Sequence, residues 1–365
     1  MSRVSSSVAA DTSFTTWPGD GLEAVPVCPV CGGAEKALLH CGLRDRLAGC
    51  APGEWNLYRC ATCGTGYLDP RPNLATIALA YSCYFNYGSG SNVGRPRSAW
   101  RQHRQAQRNA YLNTQYGYQI APATARSPRW LSQTRRQRFD DYVAYLHYPG
   151  KGARLLDVGC STGGFLRQMH EAGWEVCGVE PDPKAAAEAA AGGLDVRVGM
   201  LETVSLPESH FDAVTLHHVI EHLHDPVGTL RLCRRVLKPG GTISIATPNL
   251  EAGGHRRFGS DWFPLEPPRH LVLFTPASLT RALELADFEP ESGIRLRLVA
   301  PEMFRRSIYL QCGGGLIRDR RALPLSAKLK AAWLAWQADR ATRAKPELAE
   351  ELVLLARRPE RTSNP

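Results

Sequence analysis

The chain has 365 residues, 43% of them hydrophobic, which is enough apolar material for two units with buried cores and excludes global disorder. No run approaches the ~20 apolar residues of a membrane-spanning helix, and the N-terminus lacks the apolar core of a secretory signal. The formal net charge of +9 is concentrated between Arg95 and Arg154, where twelve Lys or Arg accompany two acids. The rest of the chain is therefore close to neutral.

Two Cys-x-x-Cys pairs follow residues 1–24, a Ser/Thr/Ala-rich stretch that we expect to be a flexible tail. Two residues between thiolates allow a tight turn around an ion, and four thiolates fill a tetrahedral zinc site, which is then structural. Free or redox-active thiols are the alternative. Residues 25–72 are predicted to form a zinc ribbon in the reducing cytoplasm. Its ligands would be Cys28, Cys31, Cys60 and Cys63.

Residues 73–150 are predicted to be a helical, basic connecting segment. The cations between residues 95 and 154 could meet nucleic acid, anionic lipid or a phosphate-bearing substrate. Charge runs more often form a solvated helical face, which favours that simpler interpretation.

Short apolar runs alternate with helical patterns over residues 151–300, which predicts an α/β fold with a parallel, doubly wound sheet. Asp182 and Asp225 are placed to cap two of its helices. A further strand is expected near Ile294–Val299. Residues 301–365 are predicted to hold a helical insertion and then the last strand, Glu351–Ala356.

A glycine-rich turn, DVGCSTGGF at residues 157–165, follows the first strand of this region and opens a helix. Its glycines let the backbone approach a ligand, and the N–H groups of the helix start favour an anionic group. The turn alone leaves the cofactor open, because dinucleotide-binding folds use similar loops. Glu180 ends the next strand, where a carboxylate can accept hydrogen bonds from both hydroxyls of a ribose.

The strings LLDVGCSTGGF, GVEPD, FDAVTLHHVIEHLHDP, LKPGG and ATPN together resemble class I S-adenosylmethionine-dependent methyltransferases. The resemblance implies a Rossmann-like sheet of seven strands and S-adenosylmethionine as cofactor. It implies that the glycine turn shapes the part of the pocket for the methionine end of the cofactor. It also implies that Glu180 binds the ribose and that Leu201 and Glu202 border the adenine. Ser161 departs from the commoner glycine, and we expect a local adjustment there. The implied cofactor-binding residues are Asp157, Gly159, Cys160, Ser161, Gly163, Phe165, Glu180, Pro181, Leu201, Glu202 and His217.

A zinc ribbon ahead of such a domain resembles a subgroup that includes sugar C-methyltransferases of deoxysugar pathways. That subgroup carries an acidic residue and then a histidine after the fourth strand, with the histidine as base. The resemblance therefore implies His222 as base and Glu221 as its substrate-binding or orienting partner, while packing of His222 at the helix start stays open. His270, in the loop after the fifth strand, is a third candidate catalytic residue.

Two further segments are candidates for the acceptor side. Tyr81, Tyr84, Phe85 and Tyr87 echo a tyrosine cluster of the same subgroup. The loop Trp262–His270 could be a lid over the acceptor or a structural cover, and Arg269 in it could pair with a phosphate or carboxylate.

We expect methyl transfer to a small-molecule acceptor, such as a nucleotide-linked sugar, a saccharide or another metabolite. A nucleic-acid methyltransferase using the basic segment 95–154 is an alternative, disfavoured by the absence of an Asn-Pro-Pro-Tyr-like motif. A non-catalytic, cofactor-binding scaffold is a third possibility. The sequence leaves the acceptor, the methylated atom and the oligomeric state open.

Overall fold

The structure, a computed structural model, describes residues 16–82, 98–125, 131–295, 297, 301–314 and 324–360. These residues build a seven-stranded, a four-stranded and a two-stranded β-sheet. Within the described ranges, no helix combines the length and the apolar character needed to cross a bilayer.

The N-terminal strands form the two smaller sheets. They are β1 (Leu22–Glu23), β2 (Lys36–Leu43), β3 (Trp55–Cys60), β4 (Gly66–Leu68) and β5 (Arg71–Pro72). β1 pairs with β5, so the last residues of the expected flexible tail form a strand. β2, β3 and β4 form an antiparallel sheet whose fourth strand, Val272–Leu273, comes from much later in the chain. That strand ties the cysteine-bearing sheet to the larger domain.

Two helices, α1 (Ala99–Tyr116) and α2 (Gln133–Tyr142), lead from these sheets to the main domain. α1 ends at Gly117, whose φ of +77° suits a residue without a side chain. The hydroxyls of Tyr111 and Tyr116 donate hydrogen bonds of 2.8 and 2.9 Å to Asp140 and join the helices.

The main domain alternates strands and helices. Its strands and the strand shared with the cysteine-bearing sheet are β6 (Arg154–Val158), β7 (Glu175–Glu180), β8 (Asp195–Val198), β9 (Phe211–His217), β10 (Leu237–Pro248), β11 (Val272–Leu273), β12 (Glu289–Pro290) and β13 (Glu351–Arg357). Its helices are α3 (Gly164–Glu171), α4 (Pro183–Ala191), α5 (Pro226–Val236), α6 (Gly253–Phe258), α7 (Pro276–Leu285), α8 (Pro301–Gln311) and α9 (Leu325–Ala344).

The large sheet has the order β12-β13-β10-β9-β6-β7-β8. β13 runs antiparallel to both of its neighbours, and the other pairs are parallel. The predicted α/β, Rossmann-like sheet of seven strands is therefore confirmed, but it is mixed rather than wholly parallel. Its central strands are buried on both faces, as Leu155 and Leu156 of β6 illustrate.

Side-chain caps fix where the helices begin. Asp182 accepts a hydrogen bond from the backbone N–H of Lys184, and Asp225 accepts one from Gly228, which confirms both predicted caps. Each capped helix follows the carboxyl end of a strand or the loop after it. Polar groups at these ends therefore gather along one edge of the sheet.

The C-terminal region differs from expectation. The regular strand predicted near Ile294–Val299 is wrong over the described residues, where Arg295 makes only an isolated bridge to Val353. Residues 296 and 298–300 lie outside the described residues. α8 and α9 pack together ahead of β13, which lies where the last strand was predicted.

Candidate active site

The glycine turn adopts a backbone that side chains rarely allow. Gly159 and Gly163 have φ of +73° and +74°, and Ser161 between them has +48°. A Cβ on Gly159 would lie 2.5 Å from Cγ2 of Val219, and one on Gly163 would lie 2.4 Å from Cδ1 of Leu194. Alanine at either glycine would therefore be both strained and crowded.

Glu180 fastens this turn to the end of β7. Its two carboxylate oxygens accept hydrogen bonds from the backbone N–H groups of Ser161, at 2.8 Å, and Asp182, at 2.9 Å. Burial raises the pKa of Glu180, while these two donors act in the opposite direction. Each oxygen has a second lone pair, so the carboxylate can accept further hydrogen bonds from a ligand.

Asp157 is the second-last residue of β6, and His217 is the last residue of the neighbouring β9. The Thr215 hydroxyl donates a 2.6 Å hydrogen bond to Asp157, and burial raises the pKa of this carboxyl to about 7. Burial and Arg297 lower the pKa of His217 to about 3, so its imidazole is neutral. Its ring centroid lies 5.5 Å from that of Phe165 on α3, which brings two of the predicted cofactor residues together.

The other predicted cofactor residues differ in what they can offer. Leu201 is buried in the turn after β8, whereas Glu202 is exposed and accepts a 2.6 Å hydrogen bond from the Thr229 hydroxyl. Pro181 is exposed after β7. Cys160 is buried with its sulfur against Gly178 of β7, so only its backbone can face a ligand.

A short 3₁₀ turn, Ile220–His222, follows β9 and holds the Glu-His pair. The Thr247 hydroxyl donates a 2.9 Å hydrogen bond to Oε2 of the fully buried Glu221. Oε1 lies 3.4 Å from Nδ1 of His218 without a directed hydrogen bond. Burial raises the pKa of Glu221, but His218 and His222 outweigh it and, with His270, bring it to about 2.

His222 and His270 lie side by side with their ring centroids 4.8 Å apart. Nδ1 of His222 is 2.9 Å from the carbonyl oxygen of Arg269, and Nδ1 of His270 is 2.7 Å from that of Pro264. A carbonyl oxygen only accepts, so each Nδ1 carries the proton and each Nε2 keeps a lone pair. One potential ligand atom from each of these histidines and from Glu221 lies within 4.8 Å of the others, so this set could also hold a metal ion.

Arg269 has a protein partner rather than a free guanidinium. Its two Nη atoms donate 2.8 Å hydrogen bonds to the two oxygens of Asp45, and both side chains are 1% exposed. The expected pairing of Arg269 with an acceptor phosphate or carboxylate is therefore wrong, because this buried pair already neutralises its charge. Trp262 and Leu265 are also buried, so the loop is a packed structural cover.

The four paired cysteines converge on one point. Sγ of Cys28 lies 3.6 Å from Sγ of Cys63, and Sγ of Cys31 lies 3.5 Å from Sγ of Cys60. All four sulfurs are within 4.8 Å of one another. Zinc–sulfur bonds of about 2.3 Å require tetrahedral edges of roughly 3.8 Å, so this donor set fits zinc.

Three cations of the basic segment have partners within the chain. The Arg108 guanidinium lies 3.7 Å from the ring centroid of Tyr142, that of Arg104 lies 4.6 Å from Trp100, and Nε of Arg154 lies 3.1 Å from Glu175. This arrangement is typical of a solvated helical face. Arg95, Arg97, Arg126 and Arg129 lie outside the described residues.

Some contacts of the site were not predicted from the sequence. Thr247 holds Glu221, and the Tyr81 hydroxyl lies 3.0 Å from Nδ1 of His222. The sequence indicates Tyr81 only as part of an aromatic cluster, whose other members, Tyr84, Phe85 and Tyr87, lie outside the described residues. Asp45 carries no sequence signal, because its partner is 224 positions away.

Known proteins share the main domain. A family model described as a methyltransferase domain matches residues 130–292. A ubiquinone biosynthesis O-methyltransferase of Xanthomonas oryzae pv. oryzae is 37% identical over 105 residues, which are 27% of this chain and 44% of that protein. The match thus spans less than half of that relative's length. One of the same name from Dinoroseobacter shibae is 30% identical over 183 residues, covering 46% of this chain and 74% of the relative.

A solved S-adenosylmethionine-dependent methyltransferase from Mesorhizobium loti has 20% sequence identity to this chain. The superposition covers 61% of this chain and 98% of that one, with a TM-score of 0.40. This value is too low to support an argument about function.

Proposed function

We propose that this chain, which belongs to the class I S-adenosylmethionine-dependent methyltransferases, transfers a methyl group to a hydroxyl oxygen of a small-molecule acceptor. The observation that carries the proposal is the His222 imidazole, held in one tautomer beside buried Glu221. The two relatives are named for O-methylation in ubiquinone biosynthesis. That chemistry supports oxygen as the methylated atom here.

The cofactor residues support S-adenosylmethionine through the chemistry of their donors. Glu180 would accept hydrogen bonds from the ribose hydroxyls with its remaining lone pairs. The N-cap of α3 is Gly163, which has no side chain to cap the helix, so N–H groups of the first turn are available to a carboxylate. The buried Asp157 carboxyl would be stabilised by a cationic group of the ligand.

His222 lies close to this pocket. Val219, three residues earlier in the chain, packs against Gly159, so the 3₁₀ turn and the glycine turn are in contact. With Nδ1 bonded to the Arg269 carbonyl, Nε2 is the atom of His222 that can take a proton.

The proposed reaction needs the acceptor oxygen to lose its proton as it forms the new bond. Bound S-adenosylmethionine would supply an electrophilic methyl group. Nε2 of His222 accepts the hydroxyl proton, and the ionised Glu221 stabilises the imidazolium that results. His270 is held neutral, since burial and His222 lower its pKa to about 4, and its Nε2 can accept a hydrogen bond from the acceptor. A nucleotide-linked sugar or another saccharide is one acceptor class within this proposal.

Zinc is the proposed second cofactor, held by the four cysteines. Gly32 and Gly64, with φ of +73° and +77°, follow the two Cys-x-x-Cys pairs and let the chain turn around the ion. The backbone N–H of Gly64 donates a 3.1 Å hydrogen bond to the carbonyl of Cys60. Four thiolates leave no open position, so the ion would be structural.

The test is methyl transfer from S-adenosylmethionine to a panel of hydroxylated metabolites, nucleotide-linked sugars and saccharides. His222→Ala should lower the rate by about 10²–10⁴-fold, because it removes the base, while calorimetry finds cofactor affinity unchanged. His210→Ala is the matched control, since His210 lies at the opposite end of β9. Full activity of His222→Ala would remove this residue from the mechanism.

The same assay separates the alternatives. Methylation of RNA or DNA that falls steeply with salt would favour a nucleic-acid substrate. Cofactor binding without transfer to any acceptor would favour a scaffold.

A further inference from the structure

The helix α9 exposes an apolar stripe to solvent. Its members are Leu325, Leu329, Trp333 and Trp336, which are 70%, 63%, 52% and 54% exposed. At 3.6 residues per turn, these positions fall within an arc of roughly 80°. The opposite side of α9, with Leu334 and Ala335, is buried against α8. The helix therefore has two apolar faces, of which one is covered by described residues.

The charges around the stripe are predominantly positive. From residue 325 to residue 345 the cations are Lys328, Lys330, Arg340, Arg343 and Lys345, and the only acid is Asp339. Lys328 and Lys330 are exposed, and the helical period puts them on opposite sides of the stripe. The Arg340 guanidinium lies 5.0 Å from the ring centroid of Trp336 and continues the same surface.

We propose that the stripe is a docking surface for an anionic lipid membrane, with α9 lying in the plane of the headgroups. Trp and Leu flanked by Lys and Arg are the composition of helices that bind this interface. Basic side chains beside the apolar stripe complement anionic headgroups.

A second copy of the chain is a poorer partner for the stripe. A two-fold interface brings the same patch of both copies together, and here it would place like charges face to face. A membrane has no such conflict. The stripe consists of side chains outside the glycine turn and the Glu221–His222 cluster, so membrane docking does not depend on the proposed reaction.

The experiment uses the full chain with vesicles of phosphatidylglycerol and phosphatidylcholine in equal parts, and with vesicles of phosphatidylcholine alone. The native chain should co-sediment with the anionic vesicles and much more weakly with the neutral ones. Trp333→Glu/Trp336→Glu should lower the partition coefficient at least roughly tenfold. Lys328→Glu/Lys330→Glu should lower the partition coefficient by roughly fivefold for each lysine lost. This loss should appear on anionic vesicles only.

Trp100→Glu is the matched control, because Trp100 is an exposed tryptophan on α1, under the Arg104 guanidinium. It should leave the partition coefficient unchanged, and circular dichroism should show that every variant is folded. The proposal is overturned if the native chain binds neither kind of vesicle, or if Trp100→Glu weakens binding as much as Trp333→Glu/Trp336→Glu does. It is also overturned if sedimentation shows a dimer that Trp333→Glu/Trp336→Glu dissociates and Trp100→Glu does not, since the stripe would then be an interface between copies.

Discussion

Glu180, the proposed ribose ligand, also anchors the glycine turn. Its place at the end of β7 predicts a ribose ligand, and the structure adds that both oxygens accept hydrogen bonds from backbone N–H groups. One of those groups belongs to Ser161, the residue that departs from the commoner glycine and has φ of +48°. The local adjustment expected at Ser161 is therefore a left-handed backbone conformation, which the hydrogen bond to Glu180 holds in place.

Removal of the Glu180 carboxylate should abolish its proposed contact with the ribose and its hydrogen bonds to the backbone at Ser161 and Asp182. We expect Glu180→Ala to abolish measurable S-adenosylmethionine binding in calorimetry, since hydrogen bonds to a charged group are worth about 1.5–3 kcal/mol each. Glu188→Ala, on the exposed side of α4, removes a carboxylate with no role in the turn and should leave affinity unchanged. An unaltered affinity of Glu180→Ala would mean that the cofactor pocket is wrongly assigned.

The loop after β10 is held by a buried acid that precedes β13. The backbone N–H of Gly254 and the Trp262 indole donate hydrogen bonds of 2.6 and 3.1 Å to Glu350. Burial outweighs both donors and raises the pKa of Glu350 from 4.5 to about 7. The folded state therefore holds this proton more tightly than the unfolded state, and stability falls as pH rises between these two values.

Glu350→Gln should remove that pH dependence. The difference between the pKa of Glu350 in the folded and in the unfolded chain corresponds to about 3 kcal/mol of unfolding free energy. The native chain should lose this stability as the pH rises from about 4.5 to about 7. Urea unfolding across this range should show a smaller decline for the variant. The control is Glu347→Gln, which changes an exposed carboxylate three residues earlier. Parallel stability curves for the native chain and Glu350→Gln would contradict the assignment.

Helices and strands marked by a pattern in their own residues could be predicted from the sequence. Features that depend on pairing with residues far away in the chain could not. β13 lies at Glu351–Arg357, where the last strand was predicted, and Asp182 and Asp225 cap the helices that follow them. The direction of β13 and the placement of β11 depend on pairing with strands far away in the sequence. α9 has apolar residues on two sides, so its amphipathic period is weak.

The same limit applies to the candidate site. The glycine turn, Glu180 and the Glu221–His222 pair have recognisable strings, and the structure brings the turn and the pair into contact through Val219. The backbone carbonyls that orient His222 and His270 have no sequence signature. From the sequence alone, Arg269 is a candidate ligand for an anion, because nothing in the sequence indicates its buried partner Asp45.

At the scale of the whole molecule, the cysteine-bearing sheet supports His222, the proposed base. β4 pairs with β11, and the backbone N–H of Leu271, just before β11, donates a 2.8 Å hydrogen bond to the carbonyl of Glu221. Asp45 holds Arg269, whose carbonyl orients His222. The glycine turn and Glu180 instead belong to β6, β7 and α3, within the large sheet and its helices.

Metal removal should therefore separate the two halves of the site. Purified chain should contain about one zinc, and a small sheet without its structural ion loses much of its folding free energy. After chelation we expect methyl transfer to be lost while S-adenosylmethionine affinity changes by no more than about threefold, since the cysteine-bearing sheet supports His222 but not Glu180. Cys28→Ser should act like chelation. Cys41→Ser, an exposed cysteine of β2 outside the cluster, should not. Equal loss of cofactor binding and methyl transfer would mean that the sheet supports the whole domain rather than the base alone.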